Sequence, residues 1–285
     1  MPDFVQFIHP GNEHGADDGG IKRWNSGLHR RKFLAIDGDY VEPLGAAPRR
    51  AELVLWGEWE PESHAAPIAE RVPDGPHWLH RPYYVKPREY RPGGGNPLQN
   101  TDPFVFGERF RYTLCRQWRS KTNRPTLLRD LASGSLILFG SLKGGQFVLD
   151  TVFVTGESVL HEHDSWRAEL PNLPATYVDV TMQPTYAWGP GAHLRLYEGA
   201  SFDEPINSMF SFAPCLPASV GRNGFARPAI TLDGYVTPGL MMGFKATRDL
   251  DPTAIHDLWA RVVAQVVDAD LALGTRFALP PRRDG

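Results

Sequence analysis

Apolar and polar positions alternate in short bursts along this chain, and one stretch near the C-terminus carries a sustained helical period. Phe4 to Ile8 alternates loosely and predicts a first strand, followed by a polar, glycine-rich loop from His9 to Gly20. Lys32 to Ile36 predicts a second strand ending at a turn, Asp37-Gly38-Asp39. Glu52 to Trp59 is a third, rich in aliphatic and aromatic side chains and closed by Pro61. Thr126 to Leu131 predicts a short helical turn, broken at Ser133-Gly134. Two apolar runs, Ser135 to Gly140 and Gln146 to Thr155, are then joined across Lys143-Gly144-Gly145, the pattern of a β-hairpin. Further strands are expected at Ala175 to Met182, His193 to Tyr197 and Met209 to Phe212.

The helical period runs through Ile255, Leu258, Trp259, Val262, Val263, Val266 and Val267. Asp251 is a good N-cap, Pro252 suits the first helical position, and Gly274 marks the expected stop. The fold class expected is therefore α+β: a β-rich core with a long C-terminal helix packed on it. Between 61 and 103 no period persists and Pro and Gly are dense, with Gly93-Gly94-Gly95 in the middle. Chain 1–285 reads as a single elaborated domain with a candidate sub-boundary at 61–103, a stretch that could also dock a protein partner.

Composition narrows the class. An apolar share of 41% with 22% charged residues belongs to a globular chain with a real core. With 30 basic and 33 acidic residues, the net charge of −3 does not predict strong nonspecific nucleic-acid affinity, although a local basic face remains open. The N-terminus lacks the pattern of a signal peptide, and no run approaches the ~18 apolar residues of a membrane helix. Cys115 and Cys215 are far apart and form no C-x-x-C pair, so they read as core residues of a cytoplasmic protein with no membrane partner.

Three stretches carry candidate chemistry. His9 and His14, with Asp17 close behind, fall in the loop after the first strand; joined by His29 and Glu58 they would make a catalytic acid–base set. Imidazole and carboxylate also suit a divalent metal, but His-x4-His in a loop matches no zinc pattern, so no metal ligand or cofactor is assigned. Trp56 and Glu58 share one face of a predicted strand, and Trp24, Trp56 and Trp59 are candidate ligand-binding rings; core packing explains them equally well. From Asn100 to Gln117, aromatics interleave with Arg109, Arg111 and Arg116, which could track a phosphate backbone or simply face solvent. His161 and His163 read as part of a surface loop. No G-x-S-x-G element, kinase set or dinucleotide fingerprint is present.

The stretch Leu127-Leu128-Arg129-Asp130-Leu131, then Gly134 and the strand through Phe139, then Gln146 to Val154, resembles the central barrel hairpin of the PUA-like superfamily, which includes ASCH, EVE and YTH domains. Ser135 stands where those domains usually carry an acidic residue after the glycine. The resemblance spans roughly 30 residues. It implies a mixed β-barrel core with a cleft for a base, nucleotide or modified nucleic acid, and an aromatic cage for which Trp24, Trp56 and Trp59 are the candidates. Two functions stand open: recognition of a nucleotide or modified nucleobase in an aromatic-lined cleft, or hydrolysis of a phosphoester or glycosidic bond by the His/carboxylate set.

Overall fold

The computed structural model describes residues 1–42, 47–86, 98–119, 121–188 and 191–284. The chain is β-rich, with two main sheets. One is six-stranded, in the order Gly243–Thr247, Phe4–Ile8, Leu136–Lys143, Gln146–His161, Leu194–Gly199, Arg111–Tyr112. Phe4–Ile8 runs parallel to Leu136–Lys143, and the other pairs are antiparallel. The predicted hairpin lies at its centre, with Gly144 and Gly145 both at positive φ in the turn.

The second sheet has seven strands: Ala272–Phe277, Ala213–Pro217, Arg49–Gly57, Lys32–Val41, Trp78–Pro82, Ser63–Pro67, Ile21–Lys22. Ala272–Phe277 also pairs with Lys32–Val41, which closes the first four into a small barrel. The barrel is thus built from strands other than the Leu136–His161 hairpin, which sits in the open sheet.

Period two divides the side chains between two cores. Leu34, Leu53 and Leu55 join Val5, Phe7, Ile137 and Phe139 in one, while Phe33, Val54 and Trp56 join Phe4, Leu136 and Leu138 in the other. Both faces of the central strands are therefore covered, which is why Phe4–Ile8 is buried at every residue. The apolar stripe Ile255, Leu258, Trp259, Val262, Val263 and Val266 enters the second core from helix Pro252–Asp268. That helix is capped by the Asp251 carboxylate, which accepts the Ala254 N–H at 2.9 Å.

Several expectations are corrected. Asp37-Gly38-Asp39 is no turn, because the strand continues to Val41. Gly38 serves close approach instead: a Cβ there would lie 2.5 Å from the Arg276 carbonyl oxygen across the barrel seam. Ala175 to Met182 is helical, not a strand: its β-branched residues lie on a run of helical turns buried on most faces. Met209 and Phe212 form isolated bridges, and the strand begins at Ala213. Gly274 lies inside a barrel strand, six residues after the helix ends at Asp268. Within 61–103, Ser63–Pro67 and Trp78–Pro82 join the seven-stranded sheet; 87–97, with the three consecutive glycines, lie outside the described residues. Among the described residues no helix is long and apolar enough to cross a membrane.

If the seam depends on that approach, Gly38→Ala should lower the unfolding free energy by about 1–3 kcal/mol. Urea unfolding reads this out, and a variant as stable as the parent would show that the seam can open to accept a methyl group.

Candidate functional site

Strand ends assemble the site. His9 follows Phe4–Ile8, Glu58 and Glu60 follow Arg49–Gly57, and His29 and Arg31 precede Lys32–Val41. Lys32 pairs with Gly57 in register, so the residues just beyond them emerge together. The loop after His9 is tied to the same place: the Arg31 N–H donates to the Asn12 carbonyl at 2.8 Å and the His14 N–H to the Arg31 carbonyl at 2.9 Å.

Four of the five residues singled out as catalytic therefore converge. His9 Nδ1 lies 3.4 Å from Glu58 Oε2, and His29 Nδ1 lies 3.3 Å from Glu58 Oε1. The fifth member of the cluster is Glu60, which the sequence alone did not mark: His29 Nδ1 is 3.0 Å from its Oε1 and His14 Nε2 is 3.9 Å from its Oε2. Asp17 stands apart, bonded to the Lys22 ammonium at 3.0 Å and the Arg23 N–H at 2.8 Å within its own loop.

A second set of groups fixes the carboxylates. Arg31, almost fully buried, donates to Glu58 at 2.9 Å and to Asp150 at 2.7 Å. Arg227 donates to the other Asp150 oxygen at 3.2 Å and lies over the Trp56 ring. Asn25 donates to Glu60 Oε2 at 2.6 Å, and the Asp102 N–H donates to Glu58 Oε1 at 3.2 Å. A lone aspartate inside the apolar run Phe147 to Val154 was the available signal for Asp150, since a buried carboxylate demands a partner.

Electrostatics separate the histidines. Burial first, and then Arg31, pulls His9 down to about 3. Burial and the Lys32 ammonium pull His14 down to about 2. Burial opposes a charge on His29 too, but the two glutamates outweigh it and push that ring up to about 10. Burial alone would raise the Glu58 carboxyl, yet the His29 charge and hydrogen bond, with His9 and Arg31, hold it below the usual range. His9 and His14 are thus neutral and Glu58 ionised at ordinary pH. Among the described residues neither ring nitrogen of His9 has a hydrogen-bond partner, nor does His14 Nε2, although all three are buried.

Imidazole and ionised carboxylate form an N/O donor set suited to a divalent cation, and a cation bound at His29 would displace the proton that the two glutamates hold there. One donor atom each from His29, Glu58 and Glu60 lie within 4.8 Å of one another. His29 Nδ1 lies 3.3 Å from Glu58 and 3.0 Å from Glu60, within the ~4.2 Å that two ligands of one ion can span. With its side chain 27% exposed, His29 opens the cluster to solvent.

The aromatic candidates do not line this site as an open cage. Trp24, Trp56 and Trp59 are buried, and their indole N–H groups donate to the carbonyls of Gln99, Phe225 and Glu62, each at 2.9 Å. Arg109 pairs with Glu204, and Arg111 with Glu198 at 2.9 Å. His161 is no surface residue: it is buried between the Thr113 hydroxyl and the Tyr186 hydroxyl. No family model, curated protein or solved structure matches the chain significantly.

Burial lowers His161 from 6.5 to about 4. Between those pH values the unfolded chain takes up a proton there and the folded chain does not, so stability should fall as the pH drops through that window. His9, His14 and His80 act in the same direction. Replacing the ring with a group that does not titrate, His161→Gln, should remove roughly 3 kcal/mol of the stability difference between neutral and acid solution. Urea unfolding on either side of the window measures it, and an unaltered difference would place the acid sensitivity elsewhere.

Proposed function

We propose that the chain is a hydrolase whose site is the His9, His14, His29, Glu58 and Glu60 cluster, acting with a divalent cation on a phosphoester bond. The observation that carries this is the convergence of three imidazoles and two carboxylates from separate strand ends, with buried ring nitrogens that lack a hydrogen-bond partner among the described residues. His29, Glu58 and Glu60 are the residues that would hold the cation, with His9 beside one carboxylate and His14 beside the other. A cation bound there supplies positive charge and a water of lowered pKa. Arg31 and Asn25 orient the two carboxylates.

Recognition of a nucleotide or modified base, the first of the two readings, draws no support from Trp24, Trp56 and Trp59, whose rings are packed in the cores. The PUA-like resemblance still favours a nucleotide-derived substrate over a glycosidic one. Two free cysteines suit a reducing compartment, and we place the chain in the cytoplasm on that ground.

The protein dialysed against Zn²⁺ or Mn²⁺ and then desalted should retain about one ion per chain by elemental analysis. It should then hydrolyse bis(p-nitrophenyl) phosphate in an EDTA-sensitive manner. His29→Ala and Glu60→Gln should each weaken metal retention by roughly 10–100-fold or more. Absence of retained metal together with EDTA-insensitive activity would remove the cation, and full activity in both variants would remove the site.

A further inference from the structure

Between Glu108 and Asp130 the chain carries seven basic residues, Arg109, Arg111, Arg116, Arg119, Lys121, Arg124 and Arg129, and no acidic one. Three of them are neutralised: Arg109 and Arg111 by Glu204 and Glu198, and Arg129 by Asp130 at 2.8 Å. Arg116, Arg119, Lys121 and Arg124 are exposed and make no ion pair among the described residues. They lie on or beside a small hairpin of Trp118–Arg119 and Arg124–Pro125, in which Arg119 and Arg124 are directly opposed. Like charges facing each other across a strand pair are destabilising, so this hairpin holds a cost that a bound anion would relieve.

The same hairpin forms one wall of a cleft of about 640 Å³, within the range of ligand sites. Arg116, Arg119 and Lys121 line it with Trp118, Met242 and Phe244. Cationic and apolar surfaces thus meet in one groove. Met241 and Met242 are well exposed on the rim, at 76% and 66%, an apolar edge left in water beside the basic side chains. This pairing suits a chain of phosphates whose bases are unpaired, because a duplex hides the base faces that an indole could stack on.

The groove is joined to the His/Glu cluster by two routes. Phe244 stacks on Phe7, with centroids 6.4 Å apart, and Phe7 meets the His9 ring edge-on at 4.6 Å. At the root of the hairpin, the Cys115 N–H donates to the Asp102 carboxylate at 2.6 Å, and the Asp102 N–H donates to Glu58. Arg116 follows directly and contributes to the field at His9.

We infer that the groove walled by Arg116, Trp118, Arg119, Lys121 and Phe244 binds single-stranded nucleic acid. Its phosphates lie along the four exposed cations and a base stacks on Trp118. The inference rests on the hydrolase reading only in naming the substrate of that site; the binding itself stands without it.

Fluorescence anisotropy with labelled dT12, rU12 and a 12-base-pair duplex, in EDTA so that no cation contributes, tests the groove alone. The single strands should bind more tightly than the duplex, with log K falling against log salt at a slope of about −2 to −3 for three or four phosphates. Trp118→Ala should weaken binding by about 5- to 100-fold. The exposed triple variant R119E/K121E/R124E should remove both binding and salt dependence while its unfolding transition is unchanged. No binding by the parent protein at low salt, duplex binding as tight as single-strand binding, or unchanged affinity in the variants would each overturn the inference. His29→Ala separates the two proposals: it should bind dT12 like the parent yet lose hydrolysis. Parent-like hydrolysis by His29→Ala with intact dT12 binding would sink the hydrolase site and leave the groove standing.

Discussion

The burial of one guanidinium organises this molecule. Arg31 is almost inaccessible to water, and a buried cation is tolerated only where anions and acceptors surround it. Its two carboxylate partners come from different sheets, Asp150 from the long Gln146–His161 strand and Glu58 from the end of Arg49–Gly57. Neither sheet can bury its half of this network alone. Arg227 completes it from a third segment, bonding Asp150, the Ser141 hydroxyl and the Gly11 carbonyl while covering Trp56. The docking of the two sheets and the placing of Glu58 are therefore the same event. A site built on such a network inherits its rigidity, since moving Glu58 would leave Arg31 short of an acceptor deep in the protein.

Much of the architecture was legible because local chemistry and burial agreed. The hairpin declared itself through two apolar runs and a pair of glycines, and the Asp251 cap with its apolar stripe marked the helix start. Where the reading failed, a tertiary demand had replaced a local one. Gly38 looks like a turn glycine because glycine usually supplies conformational freedom, whereas here it supplies the missing Cβ that lets two backbones meet at the barrel seam. Ala175 to Met182 looks like a strand because Thr176, Val178, Val180 and Thr181 are β-branched, yet Thr176, Val180 and Thr181 are all buried on helical turns, where packing outweighs propensity.

The site was half legible. His9, His14, His29 and Glu58 could be named from residue type and loop position, but nothing local states that loops twenty to fifty residues apart meet. Glu60 carried no mark at all: beyond the strand end at Gly57 the alternation stops, and a glutamate there reads as solvated. The aromatic candidates failed for a related reason. A tryptophan in a strand advertises apolar area, and its indole N–H can be satisfied by a backbone carbonyl as readily as by a ligand, which is what Trp24, Trp56 and Trp59 do.

Within the cluster, chemically identical rings reach opposite outcomes. His29 faces both carboxylates at hydrogen-bonding distance and keeps its proton in the absence of a cation, whereas His9, buried and under the field of Arg31, loses it despite Glu58. Groups of one kind whose environments push their proton affinities apart are how a site divides the roles of donor and acceptor. Burial accounts for most of the His9 side of that division, and Arg31 adds to it: it anchors Glu58 beside His29 and repels a proton from His9. The buried network that docks the sheets thus also sets the electrostatics of the cluster, and loosening the fold around Arg31 and Glu58 would narrow the difference between the two histidines.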